Sequence, residues 1–87
     1  MSGASSTSRT EAEATLSRIW CEVLGLDVIG PDDDLFDLGA TSLALVMVLT
    51  MIDETMNIDI DMEAMFGATT IAEQAGLVEA ASSGAGR

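Results

Sequence analysis

Ser42 is the side chain on which chemistry in this sequence turns. It lies in Leu35-Phe36-Asp37-Leu38-Gly39-Ala40-Thr41-Ser42-Leu43, where an acidic, glycine-containing stretch passes directly into the apolar run 43–49. Two roles fit a hydroxyl at such a junction. It can cap a helix by accepting from an orphan backbone N–H, worth about 1 kcal/mol. It can also accept a transferred group, because the positive end of a helix dipole tolerates an added phosphate. Thr41 can supply the cap equally well, so the cap does not require Ser42. No neighbour in the chain activates the hydroxyl, so a separate protein must bring both the base and the donor.

Other chemistries are poorly supplied. The chain has no histidine, which excludes Ser-His-Asp and Cys-His arrangements. Ser42 is followed by Leu43 and Ala44 rather than completing a Gly-x-Ser-x-Gly elbow. There is no lysine to finish a phosphate-cradling loop. Asn57, Asp59 and Asp61 alternate like the opening of an EF-hand loop, but the glycine position holds Met62 and the bidentate glutamate position holds Ala68. A solvated acidic face accounts for these residues better than a metal site. Cys21 is the only cysteine, so no internal disulfide can form, and its place beside Trp20 in a helical pattern reads as a packed thiol. No catalytic residue and no metal ligand is expected, and the chain is not read as an enzyme.

Fifteen acids against three arginines give a net charge of −12. Phosphate binding needs cations that displace counterions, so nucleic acid is excluded as a partner. Partners with basic surfaces, found by electrostatic steering, fit better; solubility alone is the plainer alternative. Asp53 and Glu54 interrupt the longest apolar run before it reaches the ~18–20 residues of a membrane span. The N-terminus is polar and lacks the apolar centre of a signal peptide. A soluble, cytoplasmic monomer that does not bind membranes is expected.

The elements that must position Ser42 are helical. Thr10-Glu11-Ala12-Glu13 reads as a capping box, and Leu16, Ile19, Trp20, Val23 and Leu24 recur at helical spacing, so the first helix spans about 10–24 with Gly25 as its stop. Residues 25–41 form a long loop, broken by Gly30-Pro31 and by Asp32, Asp33, Asp34 and Asp37, and pinned to the core through Leu35, Phe36 and Leu38. A loop this long inside a small domain is often functional. The second helix starts at Thr41 or Ser42 and runs to about 56. It carries two apolar stripes: Leu45, Val48, Leu49, Ile52 and Met56 on one face, Leu43, Val46, Met47 and Thr50 on another. The second stripe is either an exposed docking surface or the mark of a central helix buried all round. Asn57 to Asp61 reads as an extended connector, residues 61–67 as a short helix capped by Asp61, and Thr70-Ile71-Ala72-Glu73 as a capping box opening a last helix over 70–81. In that helix Ile71, Ala75, Leu77 and Val78 face inward. The fold class is all-α, a four-helix bundle of three longer helices and one short one. Residues 10–81 form the domain, between glycine- and serine-rich tails at 1–9 and 82–87 expected to be flexible.

Over residues 11–80 the sequence resembles the acyl and peptidyl carrier proteins. The family pattern Asp-x-Phe-x-x-Gly-x-x-Ser-Leu stands here as Asp34-Leu35-Phe36-Asp37-Leu38-Gly39-Ala40-Thr41-Ser42-Leu43, between a first helix and an apolar second one. The acidic charge and the late segment Met65-Phe66-Gly67-Ala68-Thr69-Thr70-Ile71 agree with it. The resemblance implies that Ser42 carries 4′-phosphopantetheine, placed there from coenzyme A by a phosphopantetheinyl transferase. It implies that the thiol of that arm holds an aminoacyl, aryl or acyl group as a thioester. Adenylation or loading enzymes, then condensation or tailoring enzymes, would be the further partners. Thr41, Leu43, Val46 and Met47, with Met65 and Phe66 of the short helix, would form the contact surface. Asp34 and Gly39 would hold the loop rather than touch a ligand. Ala40 and Thr41 stand where relatives have other residues, and the pattern leans toward nonribosomal peptide or hybrid pathways and toward a peptidyl carrier. An acyl carrier for polyketide or fatty-acid synthesis is the alternative within the family. An unmodified acidic helical adaptor for a basic partner is the alternative outside it.

Overall fold

Capping side chains mark where three of the four helices begin. The structure, a computed structural model, describes residues 8–84. Its first helix, α1, spans Arg9–Leu24. Ser8 is its N-cap: the Ser8 hydroxyl accepts from the Glu11 amide at 3.1 Å, and the Glu11 carboxylate accepts from the Ser8 amide at 3.3 Å. The expected box at Thr10 and Glu13 therefore lies half a turn too late. Ser8-Arg9-Thr10-Glu11 satisfies the same Ser/Thr-x-x-Glu pattern two residues earlier. The first helix thus starts at Arg9, one residue before the expected 10. Gly25 ends α1 with φ +71°, a conformation glycine adopts without steric cost.

Helix α2 spans Ser42–Met56, closed by Asn57 in the left-handed region at φ 59°. Helix α3 spans Met62–Gly67, with Asp61 at the N-cap position but without a side-chain cap bond. Helix α4 spans Ile71–Gly84, three residues beyond the expected end at 81. Ahead of α4, Thr70 Oγ1 accepts from the Glu73 amide at 3.1 Å, while the Glu73 carboxylate reaches back to the Thr69 amide at 2.9 Å rather than to Thr70. The rest of the two tails, residues 1–7 and 85–87, lies outside the described residues. No strand occurs among the described residues. None of the four helices has a basic residue in its last turn.

The helices pack as one bundle: α1 lies against α4 and α2, and α3 bridges α2 and α4. Its core is built from Leu16 and Trp20 of α1, Leu45, Val48 and Ile52 of α2, Met65 of α3 and Ile71, Ala75 and Val78 of α4. Ile58 and Ile60 are buried while Asn57, Asp59 and Asp61 face out, as an alternating extended connector requires. Arg9 ties the first turns of α1 and α4 together, donating to the Ala72 carbonyl at 3.1 Å and lying 3.9 Å from both Glu13 and Glu79.

Candidate functional site

The loop before α2 is shaped by its own side chains. The Asp34 carboxylate accepts from the Phe36 amide at 2.9 Å and the Asp37 amide at 3.4 Å, an Asx-type turn that needs this short acid. The Leu38 and Ala40 amides both return to the Leu35 carbonyl, at 3.1 and 3.0 Å. Gly39 sits at φ +112°, a conformation L side chains rarely adopt; a Cβ there would meet open space, so the backbone alone demands glycine. The Leu35 amide donates to the Thr69 carbonyl at 2.8 Å, which staples the loop to the segment between α3 and α4. The Pro31 carbonyl accepts from the Ala72 amide at 2.9 Å, a second staple to the start of α4.

Of the three loop side chains expected to pin it to the core, Leu35 alone is buried; Phe36 and Leu38 are exposed. Ile29 and Ala40 share the anchoring instead. A loop has no period to tell which of several apolar neighbours turns inward, and the turns fixed by Asp34 and Gly39 leave Phe36 and Leu38 outside.

Thr41 is the N-cap of α2, its hydroxyl accepting from the Ala44 amide at 3.1 Å. Ser42 is the first helical residue, and it is exposed. Its hydroxyl makes no hydrogen bond with any described residue. The amides of Ser42 and Leu43 likewise have no acceptor within the described residues, since the first helical bond runs from Leu45 to the Thr41 carbonyl. The two roles open to this junction are thus divided: Thr41 caps and Ser42 remains available. A phosphodiester on Ser42 Oγ suits the site, because two unpaired N–H donors and the positive end of a 15-residue helix stand beside it. Among the described residues no base is bonded to the hydroxyl.

Beyond Ser42, the second stripe of α2 faces outward. Leu43 is 69% exposed, Val46 41% and Met47 46%. This resolves the open choice: α2 is buried on one face, not all round. Phe66 of α3 is also exposed, at 43%. Met65 is fully buried, which corrects its placement on the contact surface. Adjacent helical positions point about 100° apart, and in α3 the core takes Met65 and leaves Phe66 outside. Phe36 and Leu38, missing from the expected surface, are exposed apolar side chains within seven residues of Ser42. Two concave features lie elsewhere: an open depression of about 280 Å³ is lined by Thr10, Glu13, Ile29 and Ile71 among others, and one of about 430 Å³ by Glu11, Arg18 and Met56 among others. Neither includes Ser42. No group of acids and cysteine among the described residues could hold a metal ion, and no described helix is long and apolar enough to cross a membrane.

Comparison with known proteins covers most of the described domain. The family model described as a phosphopantetheine attachment site matches residues 14–78. Tyrocidine synthase 3 of Brevibacillus parabrevis is 40% identical over 76 residues, covering 87% of this chain but only 1% of that protein. Among solved structures, a type-II acyl-carrier-protein from Streptomyces verticillus involved in bleomycin biosynthesis superposes with a TM-score of 0.77 at 26% identity, over 83% of this chain and 87% of the other. A peptidyl carrier protein solved with the phosphopantetheine transferase Sfp and coenzyme A gives a TM-score of 0.73 at 28% identity, over 77% and 87% of the two chains.

Proposed function

The chain belongs to the phosphopantetheine attachment-site family, and on that premise we propose that Ser42 is its attachment residue and that the domain serves nonribosomal peptide or hybrid natural-product assembly. The observation that carries the reading is the division of labour at the start of α2: Thr41 satisfies the cap, and the Ser42 hydroxyl is exposed and unbonded. When bound, 4′-phosphopantetheine supplies a flexible arm whose terminal thiol holds an aminoacyl, aryl or acyl group as a thioester. In the transfer, the Ser42 Oγ–phosphorus bond would form as the phosphoanhydride P–O bond of coenzyme A breaks, adenosine 3′,5′-bisphosphate would leave, and the hydroxyl proton would pass to a base of the transferase. The free amides of Ser42 and Leu43 then lie where negative charge has been added.

Leu43, Val46, Met47 and Phe66, with Thr41 at their edge, form the surface that receives partners in this reading. Exposed apolar side chains of this kind mark docking sites, and Met47 adapts to partners of different shape. The transferase, an adenylation or loading enzyme, and condensation or tailoring enzymes are the partner classes, drawn to the acidic chain by basic surfaces. One copy of the chain suffices, because Ser42 and the α2 stripe share a helix. A cytoplasmic setting, where coenzyme A and the transferase are available, is part of the reading. Similarity to the Brevibacillus synthase supports the peptide pathway, and similarity to the Streptomyces acyl-carrier-protein keeps an acyl cargo as the second reading.

Intact-mass measurement after incubation with coenzyme A, magnesium and a broad-specificity transferase tests the site. One added phosphopantetheine is expected, and none on Ser42→Ala with an unchanged far-UV circular dichroism spectrum. Modification of the Ala variant refutes the site, and an unmodified wild type favours the acidic adaptor. Loading by amino-acid-adenylating enzymes against malonyl transferases separates the two cargo classes.

A further inference from the structure

Gln74 is the one buried polar side chain found among the described residues, 1% exposed in a core otherwise built from hydrocarbon, sulfur and one indole. Its Oε1 accepts from Trp20 Nε1–H at 2.7 Å, and its Nε2 donates to the Ala68 carbonyl at 3.0 Å. A carboxamide suits this position because one end must accept and the other donate; a hydrocarbon of equal length would strand both the indole N–H and the carbonyl. A residue whose only task was to fill α4's inner stripe would need no such head group.

The bond to Ala68 falls where α3 joins α4. The Ala68 amide closes α3 on the Met65 carbonyl at 3.1 Å, and the next residue, Thr69, is held on both sides, by Glu73 and by Leu35. Six residues are too few for a helix to be stable by itself, and Asp61 contributes no side-chain cap. The place of α3 is therefore set by Met65 in the core and by the 68–69 joint. Phe66 lies between these two anchors.

We propose that Gln74 is a positioning residue for partner engagement: by bridging Trp20 of α1 to the Ala68 carbonyl, it fixes the α3–α4 joint and so sets where Phe66 stands. The inference rests on the reading of Phe66 as part of the partner-facing surface. Gln74 touches no partner itself and acts through α3.

Gln74→Met, close in length but lacking the amide, tests it in the full chain, with Phe66→Ala and the double variant alongside. The Trp20 indole N–H resonance is expected to move, and amide exchange over residues 65–70 to quicken by about tenfold while α1 and α2 keep their protection. In the transferase assay KM for the carrier is expected to rise about three- to tenfold at unchanged kcat. The double variant is expected to match Phe66→Ala alone, since the two act through one element. Wild-type exchange and KM in Gln74→Met, or effects that multiply in the double variant, overturn the inference. An unchanged KM in Phe66→Ala overturns the surface reading instead, and exchange at 65–70 still decides whether Gln74 holds the joint. Should Gln74→Met not fold, Trp20→Phe removes the indole donor and keeps the aromatic bulk; unchanged exchange at 65–70 in that variant also overturns the inference.

Discussion

Along α2, Leu45, Val48 and Ile52 turn to the interior while Leu43, Val46 and Met47 of the same helix remain in contact with water. The two sets are nearly identical in composition, so apolarity alone does not decide burial. The neighbours decide it: α1 and α3 pack on α2 and leave one side uncovered. The buried side is under the close-packing rules of a protein interior, where each missing methylene is felt. The open side is free of that constraint, and in the function proposed above its residue types answer to the partners that dock there.

Substitutions on the two sides break or sharpen this contrast. Leu45→Ala should cost about 2–5 kcal/mol of unfolding free energy, read from denaturant titration, because it opens a cavity in a small core. A loss under 1 kcal/mol would mean that the two faces are less different than their burial. Between the faces stands the cap. Thr41→Ala should cost about 0.5–2 kcal/mol while leaving Ser42 modifiable, since the cap and the acceptor are separate hydroxyls. Abolished modification in that variant would show that the two roles are not divided. On the open side, Leu43→Ala should change stability by no more than about 0.5 kcal/mol. The same substitution should raise the transferase KM for the carrier. A stability loss as large as that of Leu45→Ala would erase the comparison.

Much of this arrangement was legible in the residues. The two stripes of α2, its start at Thr41-Ser42 and the left-handed stop at Gly25 follow from spacing and from φ preferences, and the structure has each. Overlapping signals caused the misplacements. Two Ser/Thr-x-x-Glu patterns lie two residues apart at the start of α1, and the earlier one closes the box. Met65 and Phe66 are adjacent on little more than one turn, where no period can say which goes inward. Gln74 is polar and so breaks the apolar pattern, yet it falls at the i+3 place of the stripe Ile71, Ala75, Val78. A buried indole also requires an acceptor for its N–H, and Trp20 lay in the predicted core of α1. Together those two signals were enough to find it.

The helix ends carry one further consequence. α1 finishes with Glu22 and α2 with Asp53 and Glu54 in their last turns, where the dipole is already negative and no basic side chain offsets it. Dissolved ions relieve that strain between like charges, and they would equally weaken the long-range pull proposed here for basic partners. Raising ionic strength from about 0.02 to 0.5 M should therefore lift the melting temperature while slowing association with the transferase. The medium that best holds this fold together is the one in which its partners are slowest to find it.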